Sequence, residues 1–196
     1  TGSTDRDIAQ AAVTITRKGH AVDFTSITAY QWWESEDKTD LDASAIDLLQ
    51  RDNCEEQGTL LQELRWGSPD AAPYSLSDGL EMRWMAGISA FSSSKDTIAY
   101  NEYRSAAIQY LGLPFSYAQY ETAELDDIGV GSFARATFMI RKTVDLEFGL
   151  RYDYEHKAAD LGRYSSPALT ASSSTAADND FNRLSPYNTV TWHLAE

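Results

Sequence analysis

Residues 146–156, LEFGLRYDYEH, alternate without a fault. Leu146, Phe148, Leu150, Tyr152 and Tyr154 fall on one side; Glu147, Gly149, Arg151, Asp153 and Glu155 fall on the other. A period of two marks a β-strand. The same reading holds for 8–17, 20–34, 57–67, 79–93, 130–141 and 181–195, which with 144–157 predict about seven strands. In 80–91, Leu80, Met82, Trp84, Ala86, Ile88 and Ala90 oppose Glu81, Arg83, Met85, Gly87, Ser89 and Phe91. Several of these strands exceed the roughly 5–6 residues usual in globular sheets and suit the ~9–11 tilted residues that cross a bilayer.

The connections alternate in length. Tight turns are expected at Lys18-Gly19 and Lys142-Thr143, and a medium one over 68–78 with Pro69 and Pro73. Long links are expected over 35–56, 94–129 and 158–180. In an up-and-down meander this puts every short turn at one end and every long loop at the other, the asymmetry of outer-membrane barrels. Within the first long link, DASAIDLLQR has the pattern of a short helix capped by Asp42 or Ser44. Alternation alone does not say which face is inside. A soluble sheet buries its apolar face, whereas a membrane barrel turns that face to lipid and its charged face to a wet lumen.

Charge follows the same division. Residues 34–59 hold nine acids against Lys38 and Arg51, a net −7, and 96–127 hold six against Arg104, a net −5. The tight turns carry Arg17-Lys18 and Arg141-Lys142. The whole chain of 196 residues has net charge −14, which argues against nucleic acid as a partner. No run approaches the roughly 18 apolar residues of a membrane helix, which leaves a barrel open. The lone Cys54 cannot form a disulfide within the chain. Beginning at TGSTDRD, without an initiator Met, the chain reads as processed or excised.

Catalytic constellations are lacking. His20, His156 and His193 have no metal-ligand spacing, GVGSF (129–133) lacks the Gly spacing and Lys of a phosphate loop, and there is no G-x-S-x-G elbow. The expectation is a protein that is not an enzyme and carries no cofactor and no metal. Binding is better supported. Tyr100, Tyr103, Tyr110, Phe115, Tyr117 and Tyr120, with Trp32 and Trp33, would form an aromatic mouth for an organic ligand. Arg83, Arg135 and Arg151 would attract an anionic one, such as a ferric chelate. The same tyrosines would otherwise pack loops together, and the arginines would pair with Glu81 and Glu147.

FTSITAYQ (24–31), LLQELRWGSP (60–69), RWMAGISAF (83–91), GSFARATFMIRKTVDLEFGLRYDYEHK (131–157) and FNRLSPYNTVTWHL (181–194) occur in that order. Together they resemble the middle of the β-barrel of TonB-dependent outer-membrane receptors. The resemblance implies an all-β antiparallel meander, part of a larger transmembrane barrel in the bacterial outer membrane, with the three long links outside the cell. It also implies that the parent protein captures a scarce nutrient, most often a ferric siderophore, and draws energy from TonB through a plug. No plug-like segment is seen in 1–196, and about seven strands would not close such a barrel. The competing reading is a soluble β-sandwich or small closed barrel that binds a ligand or partner, its apolar faces turned inward.

Overall fold

The computed structural model describes residues 2–42, 46, 48–69, 73–112, 117–168 and 170–193. Their strands are β1 (Ser3–Arg17), β2 (Asp23–Asp40), β3 (Leu49–Gly67), β4 (Tyr74–Ser77), β5 (Leu80–Tyr103), β6 (Tyr117–Ile140), β7 (Val144–Ser166) and β8 (Ser173–Trp192), with one helix, α1 (Ser105–Leu111), between β5 and β6. All eight strands form one sheet of order β1-β2-β3-β5-β6-β7-β8, with β4 paired beside the path to β5. Every pairing is antiparallel. The predicted meander is therefore present, with seven long strands and one short hairpin strand inside the expected 68–78 turn.

The strands run much farther than the alternation predicted. Most of 35–56, 94–129 and 158–180 is strand rather than loop, leaving connections over 41–48, 104–116 and 167–172. The physical reason is that these extensions are polar on both faces, so a period of two leaves no hydrophobic trace. The pairing stays in one register from Leu80↔Ile140 to Tyr103↔Tyr117, without a bulge. The helix expected within 42–51 falls partly outside the described residues, and Leu49–Arg51 belong to β3. α1 forms instead at the β5–β6 tip, closed by Gly112 in the left-handed region at φ 67°.

The turn ends are stitched together. The Tyr74 hydroxyl donates to the Ala21 carbonyl at 2.6 Å, the Arg141 N–H to the Gly79 carbonyl at 2.7 Å, and the His193 N–H to the Thr143 carbonyl at 2.8 Å. Arg141 and Lys142 take φ of 50° and 58°, the consecutive positive values of a tight hairpin turn.

Paired residues share a face, so the register assigns each side chain. The face carrying Phe148, here the outer face, has a stretch without a charged residue on each long strand: Ala9–Ile15, Phe24–Trp32, Gly58–Trp66, Leu80–Ser94, Ile128–Ile140, Val144–Tyr154 and Asn182–Trp192. These stretches span seven to fifteen residues; the four of nine to eleven, on β2, β3, β7 and β8, at about 3.3 Å per residue and tilted by about 45°, rise roughly 21–26 Å, close to the ~25 Å apolar band of a membrane barrel. These side chains are bare: Phe148 is 54% exposed, Leu184 58% and Val190 67%. The inner face carries Glu63, Arg65, Arg83, Arg135, Glu147, Arg151 and Asp153 at the same height. Among the described residues only Ala99 and Ala107 are buried hydrophobics. No dry core lies between apolar faces, and β1 and β8 do not pair with each other. A sandwich or a small closed barrel does not describe this chain.

Glycines let the inner face curl tightly. Gly87 is opposite Phe133, Gly129 opposite Phe91, and Gly149 opposite Tyr187, each ring lying across the glycine of the next strand. A Cβ on Gly87 would sit 2.4 Å from Phe133 Cζ and 2.8 Å from the Leu64 carbonyl oxygen. The ring can rotate away but the carbonyl cannot. Gly87→Ala is expected to cost about 1–3 kcal/mol through overpacking. Thermal unfolding of the complete parent barrel should show it as a lowered midpoint; an unchanged midpoint refutes the close approach.

Candidate functional site

The inner face divides into two levels. At the level of the apolar band, Arg151 donates to Asp153 at 2.6 Å and Arg65 pairs with Glu63. Glu147 accepts from the Thr137 hydroxyl at 2.9 Å and from the Tyr187 hydroxyl at 3.0 Å, and lies 3.9 Å from Arg135. Arg83 has no ion-pair partner among the described residues. Two cavities open on this wall. One of about 410 Å³ is lined by Arg65, Arg83, Arg135 and Glu147; one of about 540 Å³ is lined by Arg135, Arg151, Phe133 and Tyr187. Arg83, Arg135 and Arg151 thus share one wall, and two of the three are engaged with carboxylates.

Above the band, the inner face of the β3, β5, β6 and β7 extensions is held by ion pairs across strands. Glu121 accepts from Arg163 at 2.8 Å on one oxygen and from Arg51 at 3.1 Å on the other. Partial burial works to raise its pKa, but the hydrogen bonds from Arg163 and Arg51 outweigh that and hold the carboxyl below its usual range. A cavity of about 470 Å³ opens beside this pair, lined also by Thr97, Ala99, Leu161 and Thr175. Lys95 donates to Glu55 at 3.0 Å, which holds the Glu55 carboxyl low, and Lys157 to Asp127 at 2.5 Å. Lys95 and Arg6 also lie 5.5 and 5.7 Å from the Trp33 ring, within cation–π range.

The expected aromatic mouth does not assemble as one surface. Tyr103 and Tyr117 lie on the inner face, ring centroids 5.0 Å apart, in the rows beyond Arg51 and Glu121. Trp33 is inner as well. Tyr100 and Tyr120 are on the outer face, stacked in a row with Tyr164 at 5.8 and 4.8 Å. Trp32 is also outer, its indole N–H donating to Glu56 at 2.7 Å. Tyr110 rides on α1, 87% exposed, and Phe115 lies outside the described residues. The cause is the period of two: once 94–103 and 117–129 are strands, successive tyrosines must part company. Arg51, Glu121 and Arg163 were overlooked for the same reason, since their alignment exists only once the register is known.

The Tyr100 hydroxyl donates to Asp52 at 2.6 Å. That bond, with partial burial and the nearby carboxylate charge, pushes the phenol from 10.0 up to about 12. Because the folded pKa is raised, the stabilisation is complete below the unfolded value near 10 and is lost as pH climbs toward about 12. In an ultraviolet titration, Asp52→Asn should bring one late-ionising phenol back toward the ordinary range. A titration unaltered by that substitution would refute the pairing.

In three dimensions the chain matches the ferric yersiniabactin uptake receptor FyuA from Yersinia pestis with a TM-score of 0.75 at 10% identity, over 98% of this chain and 27% of that one. It matches the siderophore receptor PiuA from Acinetobacter baumannii with a TM-score of 0.71 at 12% identity, over 96% of this chain and 30% of that one. No protein-family profile and no curated protein matches the sequence. The chain spans less than a third of the length of either receptor structure. Its fold is an arc of antiparallel barrel wall like that of these receptors.

Proposed function

We propose that the chain is a wall segment of a TonB-dependent outer-membrane transporter whose parent protein captures and imports a scarce nutrient, a ferric siderophore being the leading candidate. The observation that carries this reading is the charge-free outer band present on all seven long strands, backed by a charged inner face. An exposed apolar surface of that breadth has a stable place against lipid and none in water. The ordered sequence resemblance and the two siderophore-receptor folds support the same reading.

On this reading the tips at 41–48, 104–116 and 167–172 face the medium, and the short turns face the periplasm. TonB engages a plug belonging to the rest of the parent protein. The chain makes and breaks no bonds. Its inner wall gives an anionic chelate a graded set of arginines, Arg51 and Arg163 above and Arg83, Arg135 and Arg151 below. Tyr103 and Tyr117 supply apolar contact on the same side. The residues singled out from sequence are proposed as ligand contacts only where they face inward: Trp33, Tyr103, Tyr117, Arg83, Arg135 and Arg151.

The test is growth of iron-limited cells on single ferric chelates, with and without the parent gene. Loss of growth on one chelate is expected. Normal growth on every chelate, together with unchanged uptake of labelled iron, would overturn the siderophore assignment. The barrel reading would remain to be judged by membrane insertion.

A further inference from the structure

The inner face above the band is not uniformly polar. On β6, β7 and β8 the register sets Leu125 beside Ala159 and Ala177, and Ala123 beside Leu161 and Thr175. Leu161 is 48% exposed and Leu125 39%, on the face whose charges mark it as the wet one. Two cavities open along these rows. The one of about 470 Å³ lies beside Arg51 and Arg163, and another of about 420 Å³ is lined by Leu125, Ala159, Ala177 and Phe181. Together they make an apolar trough running along the strands, and its two ends differ in charge. At the lower end Lys95 is held by Glu55, and Lys157 by Asp127 at 2.5 Å and Glu155 at 3.3 Å, two bases against three acids. At the upper end Arg51 and Arg163 share the single carboxylate of Glu121, which leaves one positive charge over. From Leu161 down to Lys157 the trough spans four residues of β7, roughly 13 Å.

Resting on the siderophore reading above, we propose that the chelate taken by this wall is an amphiphile, with an anionic iron-binding head against Arg51 and Arg163 and an aliphatic arm of about octanoyl length laid over Leu161, Ala159 and Leu125. The charge imbalance sets the direction. An anion is drawn to the upper end and repelled by the lower one, so the head points to the tips and the arm toward the band. Guanidinium groups suit such a head because their planar fork matches carboxylate oxygens. The arm is aliphatic because leucine and alanine line the two rows, with Phe181 only at the lower margin. Apolar burial is non-directional, so the arm adds affinity without needing a polar contact of its own.

The test uses the complete parent protein in detergent and one citrate bis-hydroxamate chelator, made in acetyl and octanoyl forms and loaded with labelled Fe³⁺. The two forms share a head and a charge and differ only in the arm. Retained iron is read against protein-free micelles, which take up the octanoyl form equally in every sample. Wild type should bind the octanoyl complex about tenfold more tightly than the acetyl one. Leu125→Asn with Leu161→Asn should abolish that preference and leave acetyl binding unchanged, which also shows that the variant is folded. Leu161→Asn alone should lose part of the preference and keeps the test decisive if the double substitution does not fold. Arg163→Gln should weaken both forms alike, several-fold. Equal binding of the two forms by wild type means that another part of the parent barrel fills the trough, and it overturns the proposal. So does binding of neither form, or a preference that survives the leucine substitutions. The siderophore reading itself falls separately, on parent-dependent growth, which no single ferric chelate would then support.

Discussion

Phe148→Arg should lower the folded, membrane-inserted fraction of the parent barrel by about 2–4 kcal/mol, the cost of a cation at mid-depth on a lipid face. Phe148 lies within the uncharged outer stretch Val144–Tyr154 and packs edge-on against Phe138, ring centroids 6.4 Å apart. Most of its surface has no protein neighbour, at 54% exposure, so little of the loss would come from broken packing. The informative control is one position away. Gly149 faces inward with Tyr187 laid over it, so Gly149→Arg would overpack the wall, whereas inward Glu147→Gln would leave the lipid face untouched. Insertion into liposomes, followed by urea titration, separates the two faces. If Phe148→Arg inserts as well as wild type while Glu147→Gln does not, the faces are reversed.

Residues 1–196 expressed alone should aggregate, or fold only with the remaining strands supplied. The outer edges of β1, 15 residues, and β8, 20 residues, have no pairing partner among the described residues. About half the backbone N–H and C=O groups of an edge strand point away from its one neighbour. In hydrocarbon each such group costs several kcal/mol, and in water the same edges template association with other chains. β1 is exposed along its whole length and β8 at all but one position, so neither edge is covered by another element. Co-expression with the rest of the barrel should restore a heat-resistant, protease-resistant species. A monodisperse, cooperatively unfolding 1–196 in water without detergent would refute both the open edges and the lipid-facing band.

Much of this architecture was legible in the sequence where one face is apolar. LEFGLRYDYEH and RWMAGISAF announce strands because Leu146 to Tyr154 and Trp84 to Ala90 differ so strongly from their neighbours. AADLGRYSS (158–166) continues the same strand silently, since small and polar residues on both faces carry no period. Loop lengths were overestimated for that reason alone. The orientation of the sheet was not decidable from β7 by itself; it followed from the absence of any second apolar layer around the described residues. The site was least legible. Arg163 meets Glu121 across 42 positions of chain, and Tyr164 stacks on Tyr120 across a comparable distance, so both depend on a register that no local pattern specifies. The helix α1 did leave a local mark, the Gly112 that ends it, hidden inside what had the look of a long polar link.

The ladder between β5 and β6 runs from Leu80 to Tyr103 without a register shift, and β6–β7 runs unbroken from Ala118 to Val144. A ribbon with no bulge has no built-in hinge along its length. These extensions therefore behave as stiff vanes rooted in the barrel wall, without a hinge along their paired length. A push on Tyr103 or Tyr117 would lean the vane as one piece and be felt at its root, as a lever transmits torque to its fulcrum. A gate made of such vanes opens by tilting, with a stroke set by strand length, and its speed is governed by the drag of whole hairpins rather than by the flicker of a loop.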